Sequence, residues 1–240
     1  MDTWFEARHA AIVTGASRGL GKELARELLQ RGLHVIVDGR DAAVLEETRR
    51  ELEPIGSLLA IPGDVNENDH AHALVDAARR FGRLDLLVNN ASTLGKVPLP
   101  RVDELTRGTF NRLFEVNVFA PIHLIQHALP LLRKSAVSTI VNITSDAGVE
   151  AYPGWSGYGA TKAALEHVSR VLAAELDGES VRVLVADPGD MNTQMHRDAI
   201  PEADPSELRD PADSARALLR AIAEMKAPYE RVRLPEIALV

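Results

Sequence analysis

Cysteine is absent from this chain of 240 residues, which excludes a disulfide framework and thiolate chemistry. No apolar run approaches the length of a membrane span. The opening residues, Met1 to Ala10, carry neither the basic flank nor the apolar core of a secretion signal. Basic charge is scarce: 27 Lys and Arg face 35 Asp and Glu, a net charge of −8. Binding to phosphate backbones needs a basic face, so nucleic acid is not an expected partner, and neither is a membrane. There is no internal repeat, low-complexity tract or linker. The expectation is a cytoplasmic protein folded as one domain over residues 1–240, of ordinary composition with 45% hydrophobic and 26% charged residues.

Two periodicities alternate along it. Runs of β type fall at 10–13, 33–38, 57–61, 84–88, 137–144 and 181–186. Helical patterns fill the intervals at 22–31, from 44 to near Pro54, at 66–82, 102–133, 155–176 and 212–225. Pro121 stands inside the fourth of these and is expected to kink it. The stretch 190–211 reads as a polar, proline-containing loop. Arg231 to Pro235 is a candidate seventh strand. Strict alternation predicts an α/β fold: a Rossmann-type doubly wound parallel sheet of six to seven strands with helices on both faces. Ligands in such sheets bind outside the carboxyl ends of the strands.

The motifs cluster at those ends. After the first strand come Gly15, Gly19 and Gly21, around Ser17, Arg18 and Leu20. A glycine turn between strand and helix sets backbone N–H groups and a helix N-terminus against a pyrophosphate. Asp64 and Val65 follow the third strand, Asn89 to Ser92 the fourth, Ser145 the fifth, and Pro188 and Gly189 the sixth. Tyr158 and Lys162 share a helix face at i, i+4. Free tyrosine, with a pKa near 10, is a poor acid or base at neutral pH. An ammonium beside it is expected to pull that value down, so that the phenol can exchange a proton with a carbonyl or alcohol oxygen. Ser145 can hold the same oxygen.

In this order and spacing, the motifs resemble those of the short-chain dehydrogenase/reductase family, from Ala10 to about Met225. The resemblance rests on the glycine turn, Asp64-Val65, Asn89-Asn90-Ala91, Asn117, Ser145, Tyr158-x-x-x-Lys162 and Pro188-Gly189-x-x-x-Thr193. It implies a hydride passing between a nicotinamide and a substrate carbon, with Tyr158 as general acid/base. Lys162 would lower the tyrosine's pKa and bind the nicotinamide ribose, Ser145 would hold the substrate oxygen, and Asn117 would hold a water linking Lys162 to solvent. Gly15, Ser17, Gly19, Leu20 and Gly21 would bind the pyrophosphate. Asp64 and Val65 would contact the adenine, Asn90 and Ala91 the adenosine ribose, and Pro188, Gly189, Met191 and Thr193 the nicotinamide end. Other readings stand beside these: Asn117 could be a satisfied buried amide, Asp64 a helix cap, and Asn89 a tie between strands. Ser92 replaces the glycine common after Asn-Asn-Ala.

For the cofactor, the family's discriminating acid falls on Gly39, and Arg40 follows. With Arg18 this favours NADP(H), because guanidiniums grip a phosphate through charge-assisted bonds. Asp38, read as the ribose acid, would instead favour NAD(H). Tyr152, Trp155, Met195 and His196 are substrate-pocket candidates, and the acidic stretch 190–211 is the expected lid, disfavouring strongly anionic substrates such as acyl-carrier thioesters. His123 and His127 have a spacing metal ligands can use, but no carboxylate completes a set, and no metal is expected. The reading is an NADP-dependent carbonyl reductase acting on a small molecule. The alternatives are an NAD-preferring alcohol dehydrogenase and a silent NADP(H)-binding sensor. A homodimer through the helices at 102–133 and 155–177 is expected. A tetramer is less so, because no Gly-Gly tail follows the last strand.

Overall fold

The strand β1 (Ala10–Val13) shows how the sheet is built. Its side chains alternate: Ala11 and Val13 enter the core on one face, Ala10 and Ile12 the core on the other. Both faces are covered, so all four residues are apolar and fully buried. A computed structural model describes residues 9–234. The remaining strands are β2 (His34–Gly39), β3 (Leu58–Pro62), β4 (Leu86–Asn89), β5 (Ser138–Ile143), β6 (Val181–Asp187) and β7 (Tyr229–Arg233). They form one seven-stranded sheet in the order β3-β2-β1-β4-β5-β6-β7, and every pairing is parallel.

On one face lie α1 (Gly19–Gln30), α2 (Ala42–Leu52) and α8 (Pro211–Glu224), whose apolar residues join one core. The other core takes α3 (Asn68–Arg79), α5 (Ala120–Leu132) and the inner end of α6 (Ser156–Glu175). Local chemistry starts these helices. Asp41 caps α2 by accepting from the N–H groups of Ala43 and Val44, and Asp210 caps α8 ahead of Pro211. The region expected as one long helix is broken. A 3₁₀ turn at Val102–Glu104 precedes α4 (Arg107–Phe114), capped by Thr106. A π-helical segment, Glu115–Phe119, then leads into α5. The disturbance thus precedes Pro121, which has no N–H to return to the carbonyl of Asn117. The stretch 190–211 also has more order than a loop: it holds α7 (Gln194–Ala199) and a 3₁₀ turn at Pro205–Glu207. The last strand begins two residues before the expected Arg231, and Pro235 lies outside the described residues.

Beneath the carboxyl edge runs a buried polar chain. Asn89 Nδ2 donates to Asn142 Oδ1 at 2.7 Å, and Asn142 Nδ2 donates to Ser169 Oγ at 2.7 Å. It ties β4 to β5 and β5 to α6, the role of a strand tie foreseen for Asn89. Replacing Asn142 with leucine leaves a buried donor and a buried acceptor unpaired, at about 1–3 kcal/mol each. Urea unfolding of Asn142→Leu should show a loss of at least about 2 kcal/mol with an unchanged slope.

Candidate active site

The carboxyl ends of β1, β2 and β4 surround a cavity of about 700 Å³. Gly15, Ser17, Arg18, Gly19 and Leu20 line it from the first turn, with Arg40 from the end of β2 and Val65, Asn90 and Ala91 from the ends of β3 and β4. Thr193 and Met195 line it from α7 and its cap. The backbone comes close here because side chains are missing. Gly15 is left-handed (φ 64°), and a Cβ on it would stand 2.8 Å from Ala91 Cα. Gly21 does not line the cavity; a Cβ there would meet Asn90 Nδ2 at 2.6 Å, so it serves the packing of α1.

Asp38 is buried in the wall of the cavity. It accepts from the Gly15 N–H at 2.6 Å and contacts His70 Nε2 at 3.0 Å. It therefore holds the glycine turn rather than offering itself as a ribose acid. Gly39 beside it is crowded, since a Cβ would meet Ser17 Cβ at 2.9 Å. Asp64 is not part of the lining. Burial pushes its carboxyl up, but hydrogen bonds from the Asn66 N–H and Arg112 overcome this and hold it below the usual range. The cap of α3 is Glu67, not Asp64.

Asn117 is 1% exposed, and its side chain is saturated. Nδ2 donates to Thr93 O (2.9 Å) and Thr161 Oγ1 (3.1 Å). Oδ1 accepts from the Thr93 N–H (2.9 Å) and Ser92 Oγ (3.1 Å). All four positions of the amide are used, so any water it holds must be held by its main-chain carbonyl. Ser92, the departure from the family pattern, is thus built into this clamp and also lines the cavity.

Ser145, at the end of β5, donates to Asp146 Oδ1 at 3.0 Å and accepts from the Ala147 N–H at 3.2 Å. Tyr152 donates to the other oxygen of Asp146 at 3.0 Å, which raises its own pKa. Lys162 is buried; its Nζ donates to Ile143 O at 2.8 Å and stands 5.3 Å from the centre of the Tyr158 ring. Burial pushes its ammonium down to about 8, opposed by Asp187 and Glu166. Tyr158 departs from expectation. Burial pushes its phenol up, the Ser92 hydroxyl works the other way, and Asp187 and Asp146 add to the rise. Lys162, itself buried and bonded to a carbonyl, does not offset the desolvation of the phenol.

Tyr158 packs with Leu94, Ala147, Trp155 and Met195, and Leu94 and Met195 also line the cavity. Trp155 meets Tyr158 edge-on at 5.7 Å. His196, 3.5 Å from Asp190, does not line the cavity, and Met191 packs against the core instead of the cavity. Gly189 donates to Asp187 Oδ1 at 3.0 Å, which fixes the turn at Pro188. Sequence reasoning missed Ser92 as a bonding partner, and also Asp146 and Asp187. Each adjoins a motif residue, but only the fold says which way it faces. His123 and His127 lie 2.9 Å apart at Nε2 and are joined by His72 from α3. Among the described residues no His, Cys, Asp or Glu group is arranged to hold a metal, and no helix is long and apolar enough to cross a membrane.

The short chain dehydrogenase family profile matches residues 9–204. The chain belongs to the short-chain dehydrogenase family. A 3-oxoacyl-[acyl-carrier-protein] reductase of rhamnolipid biosynthesis from Pseudomonas aeruginosa is 38% identical over 197 residues, 80% of this chain and 76% of that protein. A benzil reductase of Saccharomyces cerevisiae is 35% identical over 195 residues, 78% of this chain and 73% of that one. Among solved short-chain dehydrogenases, the Pseudomonas aeruginosa RhlG/NADP active-site complex superposes with a TM-score of 0.84 at 32% identity, covering 97% of both chains. A 7α-hydroxysteroid dehydrogenase complexed with NADH gives 0.85 at 28% identity, covering 97% of this chain and 94% of that one.

Removing Asp38 would take away the partner of the Gly15 N–H in a partly buried site. Asp38→Ala is expected to lower unfolding stability by about 2–3 kcal/mol, since hydrogen bonds to charged groups are the costly ones to lose. Thermal melts should register a fall of several degrees.

Proposed function

We propose that this short-chain dehydrogenase is an NADP(H)-dependent oxidoreductase interconverting a carbonyl and a secondary alcohol, with Tyr158 as general acid/base. The observation that carries this reading is the packing of Tyr158, over whose ring Lys162 stands, against two residues that also line the cavity of about 700 Å³. A nicotinamide bound in that cavity would supply or accept the hydride. The residues fit such a group: a glycine cradle that a Cβ would fill, and two guanidiniums, Arg18 and Arg40, on the lining. Those two would hold a 2′-phosphate, while Gly39 leaves no room for the acid that an NAD(H) site uses.

Burial pushes the Tyr158 phenol up and so favours its protonated form, the one that gives a proton to a carbonyl oxygen during reduction. Ser145 would turn its hydroxyl from Asp146 to the substrate oxygen. Trp155 and Met195 would cover an apolar substituent beside that oxygen. The acidic residues of 190–211, with Asp198 on the lining, favour a neutral substrate over an acyl-carrier thioester. That separates this chain from what its Pseudomonas relative's name describes, and α7 would serve as the lid. An NAD-preferring enzyme is the second reading, favoured by the NADH complex of the hydroxysteroid dehydrogenase. The enzyme would act as a cytoplasmic homodimer through the π-helical segment, α5 and α6, where Phe119 of that segment and Val171 of α6 are exposed.

The deciding assay is NADPH consumption against aldehydes, ketones, diketones and quinones, with NADH in parallel. Tyr158→Phe should lower kcat at least about 100-fold without loss of NADPH binding; turnover that survives Tyr158→Phe would overturn the assignment. Arg40→Ala should raise the KM for NADPH roughly tenfold and leave that for NADH unchanged, as expected for a lost charge-assisted contact. Reduction requires the Lys162 ammonium, whose pKa is about 8. A base held below its ordinary value loses its proton early, so kcat/KM should be flat at neutral pH and fall above about pH 8.

A further inference from the structure

The last strand carries Arg231 and Arg233 on one face, and each lies near an acid inside the protein. Arg231 Nε donates to Glu166 Oε2 at 2.9 Å, and Arg233 Nε stands 4.0 Å from Asp187 Oδ2. Glu166 is 4% exposed. Its other oxygen accepts from Thr144 Oγ1 at 2.7 Å. Lys162 lies one turn before Glu166 on α6, so the two share a face. Lys162 reaches Ile143 O and Glu166 reaches Thr144, which are neighbours at the end of β5. The two side chains therefore lie side by side under the site.

This arrangement has an electrostatic logic. A buried ammonium bonded to a neutral carbonyl sheds its proton unless fixed negative charge lies close. A buried carboxylate takes up a proton unless it is paired, and an arginine is the one partner that cannot give its charge away. We propose that Arg231 and Glu166 are a positioning pair for the reaction: the last strand holds a carboxylate ionised one helical turn from Lys162, and so keeps that lysine charged at neutral pH. This rests on the reading of Lys162 as the partner of Tyr158.

Other charges face the same place. Asp187 comes from β6, Asp146 from the turn after β5, and Arg233 and Tyr229 from β7. Asp187 is the larger influence on Lys162, although burial pushes its own carboxyl up and Arg233 stands 4.0 Å from it. Glu166 is the one bonded at both oxygens, to Thr144 and to Arg231. Its charge acts on Lys162 directly.

The test reads Lys162 directly. The chain has five lysines, so Lys162 is assigned in the ¹H–¹³C spectrum of the full chain labelled at lysine Cε as the signal lost in Lys162→Met. No cofactor or substrate is added. Glu166→Gln and Arg231→Met should each lower the Lys162 titration midpoint by roughly one pH unit, the double variant should lower it no further, and Arg231→Lys should keep it near the wild-type value. The alkaline fall of kcat/KM for reduction should move with it. An unmoved midpoint in Glu166→Gln, or additive shifts in the double variant, overturns the proposal. Should Arg231→Met fail to fold, Glu166→Gln and Arg231→Lys still decide. Should none fold, the carboxyl ¹³C signal of Glu166 in the wild type decides: titration between pH 6 and 8 overturns the pairing, and ionisation throughout supports it. A shifted midpoint without turnover on any carbonyl would sustain the pair and sink the reductase reading. Turnover with an unmoved Lys162 would do the reverse.

Discussion

Parallel pairing of the strands is the constraint on which the rest of this molecule depends. Each strand is joined to the next by a crossover that returns to the same starting edge, so every strand ends at the same edge. Residues far apart in the chain meet there without any direct attraction between them. The glycine turn after β1, Asp38 at the end of β2, the Asn89–Ser92 run after β4, and Ser145 after β5 are neighbours for this reason alone. Burial on both faces keeps the register tight, because a slip by one residue would exchange the two cores.

That edge is lined with buried polar groups, and the fold answers several of them locally. Asp38 takes the Gly15 N–H, Asn117 is bonded at all four amide positions, and Asn89 and Asn142 pair with each other. Tyr158 and Lys162 are left under electrostatic tension. Both are buried, both are pushed toward their neutral forms, and both sit beside the cavity or beneath it. Perturbation by desolvation of two adjoining groups beside a cavity is what a proton-transferring pair requires. For Lys162, Asp187 and Glu166 temper it, and Arg231 of β7 pairs with Glu166, so that the edge strand reaches under the site.

Much of this was legible in the residues, for identifiable reasons. Strand and helix alternation is carried by apolar periodicity, which is local, and the seven strands fall within a residue or two of their expected places. The glycine turn and the Tyr158–Lys162 spacing are short-range patterns with a geometric meaning that survives folding. The long region from Val102 to Arg133 was read as one helix because its periodicity is nearly continuous. The π-helical segment at Glu115–Phe119 breaks it to set Asn117 against Thr93, a contact no local pattern encodes. The sign of the Tyr158 shift was misread likewise: a nearby ammonium is visible in sequence, whereas the burial that outweighs it is not.

By itself, then, the order of residues determined the α/β class, the direction of the strands, the family and the positions of the motifs, since these rest on periodicity and spacing along the chain. Tertiary structure alone decided that Asp38 bonds to the glycine turn, that Ser92 joins the Asn117 clamp, that Met191 packs against the core, and that Arg231 meets Glu166 across 65 residues. Each of those depends on which side of a strand or loop a residue is carried to, and on how deeply it is buried. Both are fixed only when the elements have packed.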